Sequence, residues 1–179
     1  MRGLRRVIMR APRSARYRAR MHDPRSEPSI AHDALVLLVG PAGSGKSTWA
    51  RSRFRPSAVL SSDDLREMVS DDAADQDATR DAFAILHAIA KARLRRGRLT
   101  VVDATNLLAS SRRPLLELAR RHARPTVAVM FDVPLPELLR RNAGRDRVVP
   151  EATVRRHHGL MADALTDLGS EGYASIIRA

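Results

Sequence analysis

The chain has 179 residues, of which 44% are hydrophobic and none is cysteine, and its formal net charge is +12. This length allows one domain with a sizeable core, and the composition excludes a wholly disordered chain, disulfide bonds and thiolate metal sites. No apolar run approaches the length of a membrane span, so we expect no membrane partner and, without cysteine, a cytoplasmic location.

Residues 1–30 differ from the rest of the chain in charge. They contain nine arginines against Asp23 and Glu27, a net charge of +7, which leaves +5 for residues 31–179. They lack helical or strand periodicity and contain three prolines, so we predict a disordered basic arm over 1–30 and a single domain over 31–179. One role open to the arm is to help hold RNA or DNA. The alternative is that translation starts at Met21 and part of the arm is an artefact.

An apolar run and a glycine-rich loop open the domain. Residues 35–39 are continuously apolar, as in a strand buried on both faces of a parallel sheet. Residues 40–48 match G-x-x-x-x-G-K-[ST], whose backbone N–H groups and following helix dipole bind phosphates. In this motif Lys46 reaches the β- and γ-phosphates and the Ser47 hydroxyl binds Mg²⁺. The pattern predicts binding of ATP and Mg²⁺, with nucleotide contacts from Gly40, Pro41, Ala42, Gly43, Ser44, Gly45, Lys46, Ser47 and Thr48.

Strand-like and helical segments then alternate to the end of the chain. Further strands are predicted over 57–61, 99–106, 126–131 and 173–177. Helices are predicted after the glycine-rich loop, from near Leu65, and over 78–96, 114–121, 136–143 and 151–168, with an acidic loop over 70–77. This alternation predicts an α/β fold: a P-loop NTPase of the kinase type, with a parallel sheet of about five strands flanked by helices.

Polar residues follow two more strands, and in a parallel sheet they share one edge with the P-loop. Asp63 comes 17 residues after Lys46, where its carboxylate could accept the proton of an attacking hydroxyl. Arg66 is one helical turn further and suits an anionic acceptor or the transferring phosphoryl group. The alternative for Asp63 is a helix N-cap, a task that Asp64 could also perform.

The third strand ends in Asp103, Thr105 and Asn106. Asp103 is in the usual context of a carboxylate that supports Mg²⁺, directly or through water, and is a possible metal ligand. Asp103 is also a candidate for contact with the acceptor, and Thr105 and Asn106 could hold a phosphate or sugar of it. Threonine and asparagine are also common where strands end.

Arg141 and Arg145 are four residues apart, and Arg147 follows. We predict that the first two share one face of a helical arginine lid, which would close over ATP and neutralise transition-state charge. A solvated basic helix face is the alternative. No glutamine-based signature for positioning water is present, so a kinase is favoured over a GTPase or motor.

These segments together resemble the polynucleotide 5′-hydroxyl kinases, and most of all the kinase module of bacterial kinase–phosphatase–ligase RNA-repair enzymes. The resemblance covers residues 34–178 and rests on GPAGSGKSTWA, LSSDDLR, VSDD, TVVDATN and RNAGR. It implies that Asp63 is the general base on the 5′-OH and that Arg66 contacts the acceptor. It also implies that Lys46 and Ser47 serve ATP and Mg²⁺ and that Arg141 and Arg145 are lid arginines.

The resemblance further suggests that an apolar lid residue, Val148 or Val149, covers the 5′ nucleobase. The segment after Arg145 is shorter than in the family, which affects acceptor specificity. Because the chain stops at residue 179, we expect the phosphatase and ligase of a repair pathway to be separate proteins.

We therefore expect an ATP-dependent polynucleotide 5′-kinase in RNA repair or processing, acting on RNA or DNA ends. A small-metabolite kinase on the same fold and a nucleic-acid-binding ATPase are the alternatives. The adjacent residues His157 and His158 are interpreted as a surface feature of a helix.

Overall fold

The structure is a computed structural model that describes residues 30–145 and 147–179. The basic arm predicted over 1–30 lies outside the described residues except for Ile30. No helix among the described residues is both long and apolar enough to cross a bilayer.

Five parallel strands form one sheet with the order β2-β3-β1-β4-β5. The strands are β1 (Leu35–Val39), β2 (Val59–Ser61), β3 (Thr100–Asp103), β4 (Thr126–Met130) and β5 (Ser175–Arg178). The helices are α1 (Lys46–Arg53), α2 (Ser62–Ser70), α3 (Thr79–Arg95), α4 (Ala109–Arg121), α5 (Leu135–Ala143), α6 (Glu151–Gly159) and α7 (Met161–Leu168). The predicted fold, a five-stranded parallel sheet flanked by helices, is confirmed.

The central strand β1 is buried along its whole length, because helices cover both faces of the sheet. Its odd-numbered residues, such as Leu37, belong to a core with apolar residues of α2, α3, α4 and α7. Its even-numbered residues, Val36 and Leu38, pack on the other face with Ala50 of α1 and with Phe131. Each such side chain contributes roughly 1.5–3 kcal/mol on burial, so the strand that carries the P-loop is firmly fixed.

Helices α2 and α4 begin earlier than the sequence predicts. Helix α2 starts at Ser62 rather than near Leu65, because the Ser61 hydroxyl accepts a 3.1 Å hydrogen bond from the Asp64 N–H and caps the helix. Helix α4 starts five residues before Pro114, which therefore lies inside it. The first turn of α4 is held by Arg112, whose Nη1 donates 2.8 Å hydrogen bonds to the carbonyls of residues 106 and 107.

The single helix predicted over 151–168 is wrong, because the structure divides it into α6 and α7 at Leu160. The division comes directly after Gly159, a residue with low helix propensity. The buried residues Val154 and Met161 hold the two helices against the domain.

Candidate active site

The P-loop, residues 40–45 between β1 and α1, wraps tightly at the carboxyl edge of the sheet. A Cβ on Gly40 would lie 2.9 Å from both the Cβ and the carbonyl oxygen of Phe131, so the loop passes close to the backbone of that residue. Gly45 has φ +98°, a conformation that side chains rarely permit. The Gly40 N–H is fixed by a 3.0 Å hydrogen bond to the carbonyl of Thr105. Of the nine residues predicted to contact nucleotide, Thr48 is exposed on α1.

Lys46 folds back into this loop. Its Nζ donates hydrogen bonds of 2.9 Å to the Gly40 carbonyl and 2.6 Å to the Pro41 carbonyl. Burial lowers the pKa of Lys46 to about 8; Asp103 and Asp63 oppose this shift, and Arg145 adds to it. A third contact joins Nζ to the Ser44 hydroxyl at 3.4 Å. A buried ammonium held by neutral dipoles is ready to exchange them for a phosphate, so the loop fits the anionic part of a nucleotide.

Asp103 and Ser47 meet beside Lys46. Burial raises the pKa of the Asp103 carboxyl, while a hydrogen bond from the Ser47 hydroxyl and the charge of Lys46 lower it. A hydroxyl and a carboxylate are oxygen ligands of the kind that Mg²⁺ takes together with substrate phosphates. These two residues therefore fit a magnesium ion.

Asp63 lies in the first turn of α2, but its carboxylate does not cap the helix, because Ser61 performs that task. Its side chain is 48% exposed and forms ion pairs with Arg66 and with Arg147, the latter at 3.6 Å. The interpretation of Asp63 as a helix cap is therefore wrong, and its carboxylate pairs with two arginines.

Arg66 is nearly buried and links α2 to the acidic loop that follows. Its side chain is 9% exposed, and its Nε donates a 3.0 Å hydrogen bond to the Ala73 carbonyl. Its Nη2 contacts the Asp63 carboxylate. The guanidinium is thus held in one orientation beside the carboxylate, as predicted from their spacing of three residues.

The two lid arginines do not share a helix face, so that prediction is wrong. Helix α5 ends at Ala143, and Arg145 lies beyond it in an irregular segment. Arg141 is on the helix, where its Nε donates a 2.6 Å hydrogen bond to Glu137 while its Nη1 lies 3.8 Å from the place a Cβ on Gly45 would take. Hydrogen bonds from Arg140 and Arg141 lower the pKa of Glu137 to about 2. Arg141 is therefore oriented toward the P-loop.

Asn142 holds the segment that follows α5, residues 144–145 and 147–149, which we name the arginine segment. Its side chain is buried, donates a 2.7 Å hydrogen bond to the Val149 carbonyl and accepts one of 3.0 Å from the Val149 N–H. This amide closes a loop that carries Arg145 and Arg147. The sequence alone gave no reason to single out Asn142.

Asn106 has its side-chain amide inside the fold. It is buried with φ +46°, and its Nδ2 donates a 2.8 Å hydrogen bond to the Leu38 carbonyl. This nitrogen therefore positions the P-loop strand and is not directed at an acceptor. Acceptor contacts by Thr105, by the Asn106 oxygen and by Val149 stay predictions.

His157 is not the surface residue that the sequence suggests. It is half-buried on α6, and its Nδ1 is buried with no hydrogen-bond partner among the described residues. Its pKa is lowered by burial and then by the charges of Arg156 and Lys46, which places it near the P-loop. Its spacing from the buried residues Val154 and Met161 was the available signal for an inward orientation.

The sheet order, the P-loop and the polar residues at the carboxyl edge define a kinase-type P-loop fold, which implies nucleotide binding. The family model described as AAA domain (AAA_33) matches residues 35–167, and the chain belongs to this family. No curated protein matches the chain significantly.

Solved structures support this assignment. The chain is similar to a protein in a structure of the Pnkp1/Rnl/Hen1 RNA repair complex, with a TM-score of 0.66, 23% identity, and coverage of 78% of this chain and 47% of that one. A second structure of a Pnkp1/Rnl/Hen1 complex matches with a TM-score of 0.54 and 25% identity, and covers 69% of this chain and 44% of that one. A gluconokinase from Sinorhizobium meliloti 1021 matches with a TM-score of 0.52 and 18% identity, and covers 83% of each chain. The resemblance to RNA-repair proteins is confirmed, and the chain spans less than half the length of those two relatives.

Proposed function

We propose that this protein is an ATP- and Mg²⁺-dependent kinase that transfers the γ-phosphate of ATP to the 5′-OH end of a polynucleotide. The observation that carries the proposal is the Asp63 carboxylate, which does not cap α2, forms ion pairs with Arg66 and Arg147, and acts by its charge on Lys46. We further propose that the protein acts in cytoplasmic RNA repair or processing, together with separate phosphatase and ligase proteins.

In the proposed reaction Asp63 accepts the proton of the 5′-OH as its oxygen attacks the γ-phosphorus in line. The new bond joins the 5′ oxygen to phosphorus, and the bond between phosphorus and the β–γ bridging oxygen breaks, so that ADP leaves. Lys46, Arg141 and Arg145 neutralise charge on the phosphate oxygens. A magnesium ion held by Ser47, with Asp103 beside it, would add charge neutralisation at the same phosphates.

Two lines of support favour a polynucleotide as the acceptor. The structure that matches with a TM-score of 0.66 is titled for an RNA repair complex, and a second Pnkp1/Rnl/Hen1 complex matches at 25% identity. The surroundings of Asp63 are also cationic, since both Arg66 and Arg147 form ion pairs with it. Guanidinium groups suit the phosphates of a nucleotide chain.

A small-metabolite kinase is the second candidate, favoured by the similarity to the gluconokinase over 83% of both chains. A sugar acid would use the same general base and the same arginines. The two candidates differ only in the size and chemistry of the acceptor.

The proposal is tested by following label from γ-labelled ATP into matched 5′-OH RNA and DNA oligonucleotides, with gluconate as a small acceptor. Label at the 5′ end of an oligonucleotide is the expected result, and the ratio of RNA to DNA labelling defines the substrate. Label in gluconate alone would favour the metabolite kinase. Release of labelled phosphate with every acceptor unmodified would identify an ATPase and overturn the proposal.

A further inference from the structure

A concentration of arginines lies at the amino edge of the sheet, opposite the candidate active site. Helices α3 and α4 run from the carboxyl edge to the amino edge, so their last turns and the loops after them meet there. We name this surface the basic edge; it consists of Arg93, Arg95, Arg96, Arg98, Arg120, Arg121 and Arg124.

Side-chain contacts join the two halves of the basic edge. The Arg124 guanidinium lies 3.3 Å from the place a Cβ on Gly97 would occupy, and its Nε donates a 3.0 Å hydrogen bond to the Leu94 carbonyl at the end of α3. Arg93 is near enough to Arg98 for like-charge repulsion to add to burial in lowering its pKa. These contacts join the end of α3 to the loop that follows α4.

The charge of the basic edge is not balanced locally. Asp33 pairs with Arg124 at 2.8 Å and Glu117 pairs with Arg121 at 3.7 Å, which leaves a net charge of +5. Glu171 lines a groove beside Arg120, but Arg112 holds its carboxylate. Because residues 31–179 as a whole carry +5, the rest of the domain sums to zero.

Helix dipoles explain only part of this pattern. Basic residues in the last turn of a helix are stabilising, which accounts for Arg93, Arg95 and Arg120. Arg124 lies outside the helices and is held by Asp33 and by the Leu94 carbonyl. Arg98 is exposed outside the helices, where the dipole gives no such preference, so its charge is accessible to an anion.

The described residues begin at this same edge. They start at Ile30, and the carbonyl of His32 accepts a 2.9 Å hydrogen bond from the Leu99 N–H, next to Arg98. The nine arginines of residues 1–30 precede this point in the sequence.

We propose that the basic edge binds the phosphate backbone of a polynucleotide away from its 5′ end. The choice of this polyanion rests on the proposed function, and arginine is the residue best suited to phosphate. Helix α3 has 17 residues and spans about 25 Å, the rise of about seven nucleotides of a helical strand. A trinucleotide held at Asp63 therefore cannot reach the basic edge, whereas a strand of 20 nucleotides can.

The test uses two full-length variants that differ in where arginines are lost. Arg95→Gln/Arg98→Gln/Arg120→Gln removes exposed charges of the basic edge. Arg80→Gln/Arg113→Gln removes two exposed charges at the opposite ends of the same two helices and serves as the control, with the effects compared per arginine removed. Binding of a 5′-phosphorylated 20-nucleotide RNA is measured by fluorescence anisotropy over a range of salt concentrations, so that no phosphoryl transfer is required.

The edge variant should bind this RNA at least about tenfold more weakly, with a salt slope reduced by about 2, while its KM for a 5′-OH trinucleotide is unchanged. The control variant should keep nearly the wild-type affinity. Equal losses in both variants, or no change in the edge variant, would overturn the proposal. Equal competition by a poly-aspartate peptide would identify an acidic protein as the occupant instead. Edge-dependent binding without 5′-OH phosphorylation would leave this proposal standing and overturn the proposed function.

Discussion

The P-loop and the arginine segment both contribute to the candidate site but are held in different ways. The P-loop is fixed by buried neighbours: Gly40 lies against Phe131, and Lys46 is bound by the carbonyls of its own loop. The arginine segment is held by the side chain of Asn142 and by a partly exposed ion pair between Arg147 and Asp63.

This difference indicates where the site can change shape. Packed backbone leaves a ligand little freedom to reshape the P-loop, so its geometry is present before nucleotide arrives. Exposed ion pairs are worth about 0–1 kcal/mol and exchange readily, so the arginine segment can be reorganised by phosphates or acceptor. The P-loop should therefore govern nucleotide binding, and the segment should govern transfer.

The largest effect is expected from removing the lysine of the P-loop. Lys46→Met should weaken ATP binding by about 100-fold or more and abolish transfer, because a buried charged hydrogen-bond donor is lost. Lys91→Met, the only other lysine, is the matched control and should bind ATP normally. Calorimetry of ATP binding makes the comparison, and an affinity within threefold of wild type for Lys46→Met would contradict the account.

A smaller effect is expected from crowding the loop. Gly40→Ala places a methyl group 2.9 Å from Phe131 and should destabilise the protein by about 1–3 kcal/mol while weakening ATP binding. Gly159→Ala has open space around the added methyl group and should be neutral or slightly stabilising. Denaturant unfolding compares the two, and equal stability would show that the loop is not fixed by this contact.

Releasing the arginine segment should affect transfer more than binding. In Asn142→Ala the N–H and carbonyl of Val149 lose their partners, so we expect kcat to fall about tenfold with little change in ATP affinity. Ala143→Ser, at the exposed neighbouring position, is the control. A loss of ATP affinity with an unchanged kcat would reverse the roles assigned to the two regions.

The smallest effect concerns pH. The pKa of Lys46 is about 8, so the free protein loses this charge above pH 8, whereas bound phosphates would keep it protonated. Binding must then take up a proton, and metal-free ATP should bind about fourfold more weakly at pH 8.5 than at pH 7. The Lys46→Met variant should lack this dependence. An affinity that stays constant over this range would show that Lys46 remains charged in the free protein.

The strands could be predicted because each is a short apolar run, and β1 with the P-loop motif specified the fold. What could not be predicted depends on contacts between distant residues. The buried ion pair of Arg112 with Glu171 supports the early start of α4, and two residues far apart in sequence leave no local pattern. Similarly, Gly144 ends α5 before Arg145, although the spacing of the arginines suggested a continuous helix.

The candidate site could likewise be predicted only in part. The motif located Lys46 and Ser47, and strand ends located Asp63 and Asp103. The sequence could not show that Ser61 caps α2 and leaves Asp63 without this role, since Ser61, Asp63 and Asp64 could each cap the helix.

The most direct test of the central claim, that Asp63 is the general base of a phosphotransferase, compares Asp63→Asn with Asp64→Asn. Single-turnover transfer from ATP to the acceptor found in the labelling experiment is measured for both, together with ATP affinity. We predict a loss of about 10²–10⁴-fold in rate for Asp63→Asn with unchanged ATP affinity, and near-normal transfer for Asp64→Asn. Near-normal transfer by Asp63→Asn would contradict the assignment.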